Sequence, residues 1–586
     1  MDHDQSGLKF NRTIVQPVLS LLSPAAKRQS MWTIVLVIAN AILDFFSVAA
    51  FLPLLFFIVK PESITSQPLV HNFYSKIGFS NPGQFIFTFA IVLLFVVIIK
   101  NLIVRWIAMK KASYAFGISS DLASRAMVRY LEMSYLNFSQ GDFTRELNRI
   151  VNYPFAFANN IILPLTALVS ELFVSALILT GIALYDWRMA TVLMLMFIPV
   201  MLLYQIRKAK LKNISASLKE KYPLLMKYAL QVIEGFSEIK STQTENFFHR
   251  RFQTVNNEIS KIFARDQLLQ SGTHRLTEVI VTLLICGLIV YSVSFQQNYQ
   301  ETLLLLGVYA GAGFRMIPSI NRILHSTQQI RLHEHLLEEL MPLRDYDGSE
   351  FRVRSESLSF KDTIELRNLS FGYSKEATTL QDISLRIRKG EKVGLTGVSG
   401  GGKTTLLLIL LRFLKESGGK ILIDDKPVDD DLAWRSLFGY VPQSPYILDG
   451  SIAENIAFGV AVGQSDRKKI QQLLNDLGLS EMVSQLPDGI DAQIGERGVK
   501  LSGGQRQRLA IARVLYADTE ILLLDEVTNQ VHTFMEKEIL NILDDLSTKK
   551  KTIIMVTHHI SNAGFFDSVY ALENGILHEM AFQSRD

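Results

Sequence analysis

The sequence predicts a protein of two parts: a polytopic α-helical membrane domain with six spans, followed by a soluble α/β domain. Long apolar runs are confined to the first half of the 586 residues, and the mean hydropathy of the chain is +0.20. In the second half strand-like runs alternate with helical stretches. We expect an N-terminal arm at 1–30, the membrane domain at 31–342, a linker at 343–360 and the α/β domain at 361–586.

Composition excludes other classes of protein. The chain has 60 Lys and Arg residues against 56 Asp and Glu residues, and a formal net charge of +4 does not suggest a protein that coats nucleic acid. Cys286 is the only cysteine, so the sequence can form neither an internal disulfide nor a cysteine-rich metal centre. The 36 Phe and 18 Tyr residues can bury enough surface to exclude a disordered chain.

The membrane spans are predicted from apolar stretches of about 20 residues, the length that crosses a bilayer as a helix. They lie near 31–59, 84–108, 160–185, 189–206, 276–296 and 302–324. Basic residues are concentrated in the connections 109–159 and 207–275, so the positive-inside rule places both connections and both termini in the cytoplasm. Both connections are rich in helix formers, which predicts that membrane helices continue into the cytoplasm. Their turns, near 140–146 and 232–236, are expected to touch the soluble domain.

A phosphate-binding loop is predicted at 397–404, where GVSGGGKT matches the pattern GxxxxGK[ST] between a strand-like and a helical run. Glycines let backbone N–H groups turn toward phosphates, and the helix N-terminus adds partial positive charge. Lys403 is expected to reach the β- and γ-phosphates, and the hydroxyl of Thr404 to bind Mg²⁺. The residues predicted to bind ATP here are Gly397, Val398, Ser399, Gly400, Gly401, Gly402, Lys403, Thr404 and Thr405.

Two carboxylates follow the apolar run Ile521 to Leu524, which has the pattern of a strand covered on both faces. Asp525 and Glu526 would then stand in the crevice where such sheets bind ligands. Asp525 is placed to hold Mg²⁺ through water, and Glu526 to polarise the attacking water as the catalytic base. Together with the phosphate loop they predict an ATPase.

Between these motifs stands a run of small polar residues that begins a predicted helix: Leu501, Ser502, Gly503, Gly504 and Gln505. With this run the sequence resembles the nucleotide-binding domain of ABC transporters, whose signature motif it matches. In that family the signature contacts the ATP of the partner subunit across a dimer interface. The resemblance therefore implies that ATP is bound between two subunits.

Other elements of the family occur in the expected order. Tyr373, in LSFGYS, matches the aromatic residue that stacks on adenine. Gln443, in YVPQSP, matches the glutamine that senses Mg²⁺ and water, and His558, in MVTHHIS, matches the catalytic switch histidine. The resemblance thus implies ATP and Mg²⁺ as cofactors, with Mg²⁺ held by Thr404, Gln443 and Asp525.

The segments 451–456 and 493–498 resemble those of ABC exporters, and six spans followed by an ATPase is the half-transporter layout. This resemblance implies a homodimer in a bacterial cytoplasmic membrane, with the ATPase in the cytoplasm and no nucleic-acid partner. One departure is the run Asn529, Gln530, Val531, His532, where the family usually has Ser-Ala-Leu-Asp. Since histidine cannot supply the fixed negative charge of that aspartate, coupling between two ATP sites is put in doubt.

Three ionisable residues, Asp44, Glu171 and Arg315, lie within the predicted spans and are candidates for a substrate cavity. The run from Phe314 to Arg322 resembles the matching helix of bacterial lipid-linked oligosaccharide flippases. Arg315 would then grip an anionic head group such as a pyrophosphate. The alternative is structural, with Arg315 paired to Glu171 or Asp44 inside the bundle.

Three functions are open from the sequence. The leading one is ATP-driven export or flipping of an amphiphile, such as a lipid-linked oligosaccharide. The second is export of drug-like compounds or peptides, which has no need for Arg315. The third is an ATP-gated channel or regulatory protein, suggested by the altered run Asn529 to His532.

Overall fold

The computed structural model describes residues 11–59, 61–79, 81–185, 187, 190, 191, 194, 197–295, 299–346, 358–374, 377–461, 463–495, 498–527, 533–548, 551–557 and 564–580. They form two compact units. The first consists of the described parts of Met1–Met133 and Gly141–Ser349, and the second of those of Ser134–Gln140 and Glu350–Asp586.

The first unit is helical. After a π-helical turn at Asn11–Val15, the helices up to the linker are α1 (Gln16–Leu21), α2 (Pro24–Ala49), α3 (Phe51–Val59), α4 (Ser63–Ser66), α5 (Pro68–Ile77), α6 (Pro82–Leu131), α7 (Tyr135–Gln140), α8 (Phe143–Phe157), α9 (Leu163–Tyr185), α10 (Phe197–Glu234), α11 (Phe236–Ser241), α12 (Glu245–Phe295), α13 (Tyr299–Leu332) and α14 (His335–Leu340). A π-helical turn at Ala158–Ile162 joins α8 to α9, and a 3₁₀ turn at Met341–Leu343 follows α14. Among these, α7 belongs to the second unit.

The bounds of the first helices follow from proline and capping chemistry. Pro24 begins α2, and Pro53 explains why α2 ends at Ala49, since a proline ring clashes with the carbonyl four residues earlier. The predicted span 31–59 is therefore two helices with a break at Ala50. At the start of α6 the side chain of Asn81 accepts a hydrogen bond from the backbone of Gln84 at 2.9 Å.

Three helical stretches of the described residues are long and apolar enough to cross a membrane: Pro24–Phe46, Pro82–Leu131 and Phe143–Leu184. They overlap the first three predicted spans, although Pro24–Phe46 reaches only the first part of 31–59. The predicted spans 189–206, 276–296 and 302–324 include residues or side chains outside the described part. The helices α6 and α12 continue without a break from span into connection, and a helix of 50 residues is roughly 75 Å long.

The described part of the N-terminal arm packs against other helices of the first unit. Its residues Ile14 and Leu21 are fully buried, in a cluster that also holds Ala115 and Leu122 of α6 and Phe157 of α8. Because burial of such side chains is worth about 1.5–3 kcal/mol each, the arm is part of the helical core.

The second unit contains two sheets. Its strands are β1 (Thr363–Ser374), β2 (Ala377–Arg388), β3 (Lys392–Thr396), β4 (Gly418–Ile423), β5 (Lys426–Pro427), β6 (Phe438–Val441), β7 (Ile521–Asp525), β8 (Thr552–Val556), β9 (Ser568–Glu573) and β10 (Ile576–Glu579). Four strands form an antiparallel sheet in the order β2-β1-β4-β5. The other six have the order β10-β9-β3-β8-β7-β6, parallel except for β10.

The parallel sheet explains where the motifs meet. In β7, Ile521 and Leu523 face one hydrophobic cluster, while Leu522 and Leu524 face the other, so helices cover both sides of the strand. The carboxyl ends of β3, β6 and β7 lie at one edge of the sheet, which is where parallel sheets bind ligands.

Helices of the second unit follow these strands. They are α15 (Lys403–Leu410), α16 (Asp431–Arg435), α17 (Ile452–Ile456), α18 (Arg467–Asp476), α19 (Ser480–Ser484), α20 (Gly503–Ala517) and α21 (Thr533–Thr548), with a 3₁₀ turn at Gly489–Asp491. The segment α7 packs here through Tyr135, and its last residue, Gln140, begins the predicted turn at 140–146. The other predicted turn, near 232–236, coincides with the break between α10 and α11 at Gly235 and lies in the first unit.

Candidate functional site

The phosphate loop lies between β3 and α15. Gly397, Gly400 and Gly402 have φ angles of 141°, 81° and 101°. A Cβ atom on Gly397 would stand 2.3 Å from the backbone oxygen of Leu572, and one on Gly402 would stand 2.9 Å from a side-chain carbon of Leu380. Only glycine fits these angles and this space. The glycines therefore allow a tight backbone turn whose N–H groups can surround phosphates.

Lys403 begins α15 and points back into the loop. Its side chain is buried, and Nζ donates hydrogen bonds to the backbone oxygens of Gly397 and Val398, each at 2.9 Å. A buried ammonium needs such partners, and anionic phosphate oxygens would satisfy it better than neutral carbonyls. The loop and its lysine therefore fit a nucleoside polyphosphate.

A hydroxyl and a carboxylate meet next to the loop. Thr404 Oγ1 donates to Asp525 Oδ2 at 3.3 Å. Asp525 is buried, and this burial raises its pKa, as does the charge of Glu526. Among the described residues no group of three or more His, Cys, Asp or Glu side chains can hold a metal ion alone. A hydroxyl beside a carboxylate fits Mg²⁺, which is commonly held by one or two carboxylates together with substrate phosphates.

Gln443 and Glu526 come from separate segments and touch. Gln443 Nε2 donates to Glu526 Oε2 at 2.7 Å. Glu526 directly follows β7 with a φ of +54°, and its backbone N–H donates to Val556 of β8 at 3.2 Å. Because a side chain at positive φ is strained, the neighbouring strand fixes this carboxylate in place beside Asp525. The pair places an amide and a carboxylate side by side, where together they can hold one water molecule.

Tyr373 lies at the end of β1 beside the first turn of α15. Its hydroxyl is 3.2 Å from Thr405 Oγ1, and its ring packs edge-on against Phe371 with centroids 5.0 Å apart. The residue is 45% exposed, so part of the ring is open to a ligand. This position suits the stacking role that the sequence resemblance implies.

The signature residues form a helix cap. Ser502 Oγ accepts from the backbone N–H of Gln505 at 3.3 Å, and Gln505 Oε1 accepts from the backbone N–H of Ser502 at 2.8 Å. Leu501 is buried and Ser502 is exposed. In the part of the chain that the structure describes, no hydrogen bond joins this cap to the phosphate loop. The cap is an exposed helix N-terminus that can receive an anion.

The two exporter-like segments pair with each other. Ser451 and Gln493 form an isolated antiparallel bridge, and the N–H of Ile494 donates to Gly450 at 3.2 Å. Segments that are about 40 residues apart in the sequence thus form one surface.

Several expected residues lie outside the described part: His558, Glu496, Arg497, Asn529, Gln530, Val531 and His532. Thr557, the residue before His558, hydrogen bonds through its backbone N–H to Leu395 of β3 at 3.0 Å. The strand order therefore brings the chain before His558 next to the strand that precedes the phosphate loop.

In the first unit the three charged residues of the predicted spans lie in one cluster. Arg315 Nη2 is 3.7 Å from Asp44 Oδ2, and Arg315 Nη1 is 3.5 Å from Glu171 Oε2. Lys100 Nζ is 2.9 Å from Asp44 Oδ1, and Arg322 Nη1 is 2.6 Å from Glu171 Oε1. The cluster joins α2, α6, α9 and α13.

The contacts of Arg315 are those expected if it pairs with acidic residues inside the helical bundle. Both acids are its partners, and it donates to Ser319 Oγ at 2.9 Å, which in turn donates to Glu171 Oε2 at 2.7 Å. Its side chain is 15% exposed, whereas that of Arg322 is 61% exposed. Of the two arginines, Arg322 is the one open to a ligand.

Two members of this cluster, Lys100 and Arg322, were not among the predicted site residues. Lys100 lies in the middle of the predicted span 84–108, and the count of three ionisable residues in the spans was wrong without it. Arg322 was part of the run compared with flippases but was given no role. The position of a lysine within an apolar run could have indicated, from the sequence alone, that Lys100 belongs to the charged cluster.

Comparison with known proteins places these observations in a family. Residues 380–529 match the family model described as ABC transporter. The ATP-dependent lipid A-core flippase of Coxiella burnetii (strain RSA 493 / Nine Mile phase I) is 30% identical over 402 residues, covering 68% of this chain and 67% of that protein. The multidrug resistance ABC transporter ATP-binding and permease protein of Lactococcus lactis subsp. lactis (strain IL1403) is 28% identical over 418 residues, covering 70% of each.

A solved structure has the same fold. A bacterial Atm1-family ABC exporter with ATP bound superimposes with a TM-score of 0.76 at 21% identity, covering 95% of each chain. The two units thus have the fold of that exporter chain over nearly its whole length.

Proposed function

This chain belongs to the ABC transporter family, as a membrane-embedded ATPase that drives export or flipping, and we propose that its cargo is an amphiphile with an anionic head group. The charged cluster carries this proposal. Three cations, Lys100, Arg315 and Arg322, stand against two carboxylates, Asp44 and Glu171, among helices whose sequences are apolar. Charges in such surroundings commonly mark a substrate path.

Arg322 is the group that we assign to the head group. Its guanidinium has one carboxylate partner, Glu171, on one side and is exposed over more than half of its surface. Arginine can bind phosphate through two parallel hydrogen bonds, which suits a phosphate or pyrophosphate on a lipid. Lys111 of α6 is half-buried and close enough to interact electrostatically with Arg322 and Glu171, which adds a second positive group.

The names of similar proteins suggest a narrower substrate class. The Coxiella relative is named as a lipid A-core flippase, and the helix with Arg315 and Arg322 resembles that of lipid-linked oligosaccharide flippases. We therefore propose a lipid-linked glycan as cargo. Export of drug-like compounds is the second candidate, favoured by the multidrug name of the Lactococcus relative.

The ATP site supports the following division of roles. Lys403 and the loop glycines bind the phosphates, Tyr373 stacks on adenine, and Thr404 with Asp525 holds Mg²⁺. The metal, when bound, neutralises charge on the phosphates. Gln443 and Glu526 orient the water and Glu526 accepts its proton.

We propose that the chain works as a homodimer in a bacterial cytoplasmic membrane, because the exposed cap at Ser502 needs a second copy to face a phosphate loop. ATP bound between two copies would close them against each other, and hydrolysis would release them. The membrane domains would then open in turn to one side of the membrane and to the other as ATP binds and is hydrolysed.

Two measurements test the cargo. Mass spectrometry of lipid that copurifies with the chain is expected to find a phosphorylated or pyrophosphorylated glycolipid. Arg322→Ala is expected to lower stimulation of ATPase activity by that lipid about tenfold, while basal activity stays. Arg344→Ala, which removes another exposed arginine of the same unit, is the control. Unchanged stimulation of Arg322→Ala by every anionic lipid, together with stimulation by uncharged drugs, would favour the second candidate.

A further inference from the structure

The short helix α7 is held in the second unit by aromatic stacking. The ring of Tyr135 lies flat on that of Phe413, with centroids 5.6 Å apart and planes 4° apart. Phe413 follows α15, the helix that begins with Lys403 at the phosphate loop. The segment that comes from the membrane half thus contacts the chain just beyond the phosphate-loop helix.

Tyr440 is half-buried in the same hydrophobic cluster as Tyr135 and Phe413. It lies on β6, and its hydroxyl is 3.5 Å from Asp525 Oδ2, the same oxygen that accepts from Thr404 at 3.3 Å. Two hydroxyls, from different elements, therefore converge on one carboxylate oxygen. Tyr135 packs against the same cluster as Tyr440 and so connects it to α7.

The direction of the Tyr440 side chain follows from its neighbours. A Cβ atom on Gly439 would stand 2.0 Å from Val514 of α20, so Gly439 faces that helix. Alternation along a strand turns Tyr440 to the opposite face, where α15 lies. Phenylalanine would fill the same apolar space, which leaves the contact with Asp525 as the specific use of the hydroxyl.

We propose that Tyr440 is a positioning residue that holds the carboxylate of Asp525 for Mg²⁺ and links this carboxylate to α7. The inference rests on the proposed role of Asp525 as metal ligand. The hydroxyl, together with that of Thr404, sets the rotation of the carboxylate, and partners of a metal ligand commonly tune metal affinity. A displacement of α7 moves the stack of Tyr135 on Phe413, which packs against the same cluster as Tyr440, and so reaches Asp525.

The test separates nucleotide affinity with and without metal. Full-length Tyr440→Phe in lipid nanodiscs is titrated with a fluorescent, non-hydrolysable ATP analogue, in excess Mg²⁺ and in EDTA. The Kd with Mg²⁺ is expected to rise roughly three- to tenfold, as for loss of one ordinary hydrogen bond, and the Kd in EDTA to stay within about twofold. Tyr570→Phe, which removes a hydroxyl beside the same cluster, is expected to change neither value.

Two outcomes overturn the positioning role: a Kd with Mg²⁺ that stays within about twofold, or an equal rise in both media. Asp525→Asn separates this failure from failure of the metal site. If Asp525→Asn weakens binding only with Mg²⁺ and Tyr440→Phe does not, the metal site stands and the role of Tyr440 falls. If Asp525→Asn has no effect specific to Mg²⁺, the proposed metal site itself falls.

A double-mutant cycle tests the link to α7. Tyr135→Ala removes the stack on Phe413 and is expected to weaken Mg²⁺-dependent binding in the wild-type background but not in the Tyr440→Phe background. Equal effects of Tyr135→Ala in both backgrounds, or no effect in either, overturn the link.

Discussion

Gln443 Nε2 donates to Glu526 Oε2 at 2.7 Å, and replacement of Glu526 tests its role as the base in ATP hydrolysis. In Glu526→Gln the new amide keeps the size of the carboxylate and leaves the phosphate loop intact, but it cannot accept a proton from water. We expect kcat to fall by about 10²–10⁴-fold, while affinity for ATP changes little. Phosphate release and nucleotide binding on the same preparation measure the two quantities.

The control for that variant is Glu573→Gln, which neutralises an exposed glutamate of the same unit at the end of β9. It is expected to hydrolyse ATP at the wild-type rate. Hydrolysis by Glu526→Gln at a rate close to the wild type would show that another group is the base.

At the scale of single residues, the sequence predicts the features that depend only on neighbouring residues in the chain. The phosphate loop, the cap at Ser502 and the pair after β7 are short motifs whose backbone chemistry is set by adjacent residues. The role of Tyr440 depends on a neighbouring strand, and the partners of Arg315 come from helices far away in the chain. Such pairings follow from packing, which no spacing in the sequence encodes.

Glu339 of α14 joins that helix to α8 through a buried ion cluster. Its carboxylate accepts from Arg145 at 2.7 and 3.0 Å and from Arg149 at 3.0 Å, and Arg149 also donates to its backbone oxygen at 3.0 Å. Burial opposes its ionisation, but the bonds from Arg145 prevail and lower the pKa of Glu339. The helix α8 follows α7, and α14 precedes the linker, so one cluster ties together both places where the chain passes between the units.

Glu339→Gln is therefore expected to destabilise the protein. Arg149 stays buried but keeps Glu146 as an ion-pair partner, so we expect a loss of about 2–3 kcal/mol rather than the 3–5 kcal/mol of a fully orphaned charge. Thermal unfolding in detergent measures it. Glu338→Gln, next to it and 71% exposed, is the matched control, and its effect should stay within about 0.5 kcal/mol. Equal effects of the two variants would contradict the cluster.

His335, at the start of α14, predicts a loss of stability in acid. Burial lowers its pKa to about 4, against about 6.5 in the unfolded chain, and its Nδ1 is 3.1 Å from Ser215 Oγ. Between these values the unfolded state binds a proton and the folded state does not, so stability is complete above about pH 6.5 and falls as the pH drops toward 4. The nearby His333, whose pKa burial also lowers, adds to the same trend.

His335→Gln should flatten this dependence. The wild type is expected to lose about 1–2 kcal/mol more than the variant between pH 7 and pH 5. Melting temperatures across that range measure the difference. His325→Gln, at an exposed position of α13, should keep the wild-type slope, and an identical slope in His335→Gln would refute the assignment.

At the scale of the whole molecule the homodimer predicts complementation. Lys403→Ala damages the phosphate loop and Ser502→Arg blocks the cap, so each variant alone should be inactive. A mixed dimer combines the intact loop of one chain with the intact cap of the other, and restores one ATP site of the two. ATPase activity of copurified mixed dimers, with each chain carrying its own affinity tag, should exceed that of both parents.

The reference for that experiment is a pair in which one chain carries both substitutions and the other is wild type. There each ATP site contains one damaged surface, so activity should stay at the level of the single variants. Full activity of purified Ser502→Arg would show that the cap is not part of an ATP site.

The division into two parts could be predicted because bilayer-spanning helices and α/β domains differ in composition and in the spacing of their apolar residues. The strand-like run predicted before the phosphate loop and the strand predicted at Ile521 to Leu524 are confirmed as β3 and β7. The helix α7 could be predicted to touch the ATPase but not to belong to it, because its contact depends on a partner ring 278 residues further along the sequence.

That separation has a consequence for biosynthesis. A ribosome adds roughly 5–20 residues per second, so Phe413 is made about 15–60 s after Tyr135. During this interval several long apolar helices must enter the membrane while α7 waits without its stacking partner. The ATPase unit is therefore completed by a piece of chain that is among the earlier parts to be translated, and its final folding step must follow membrane insertion.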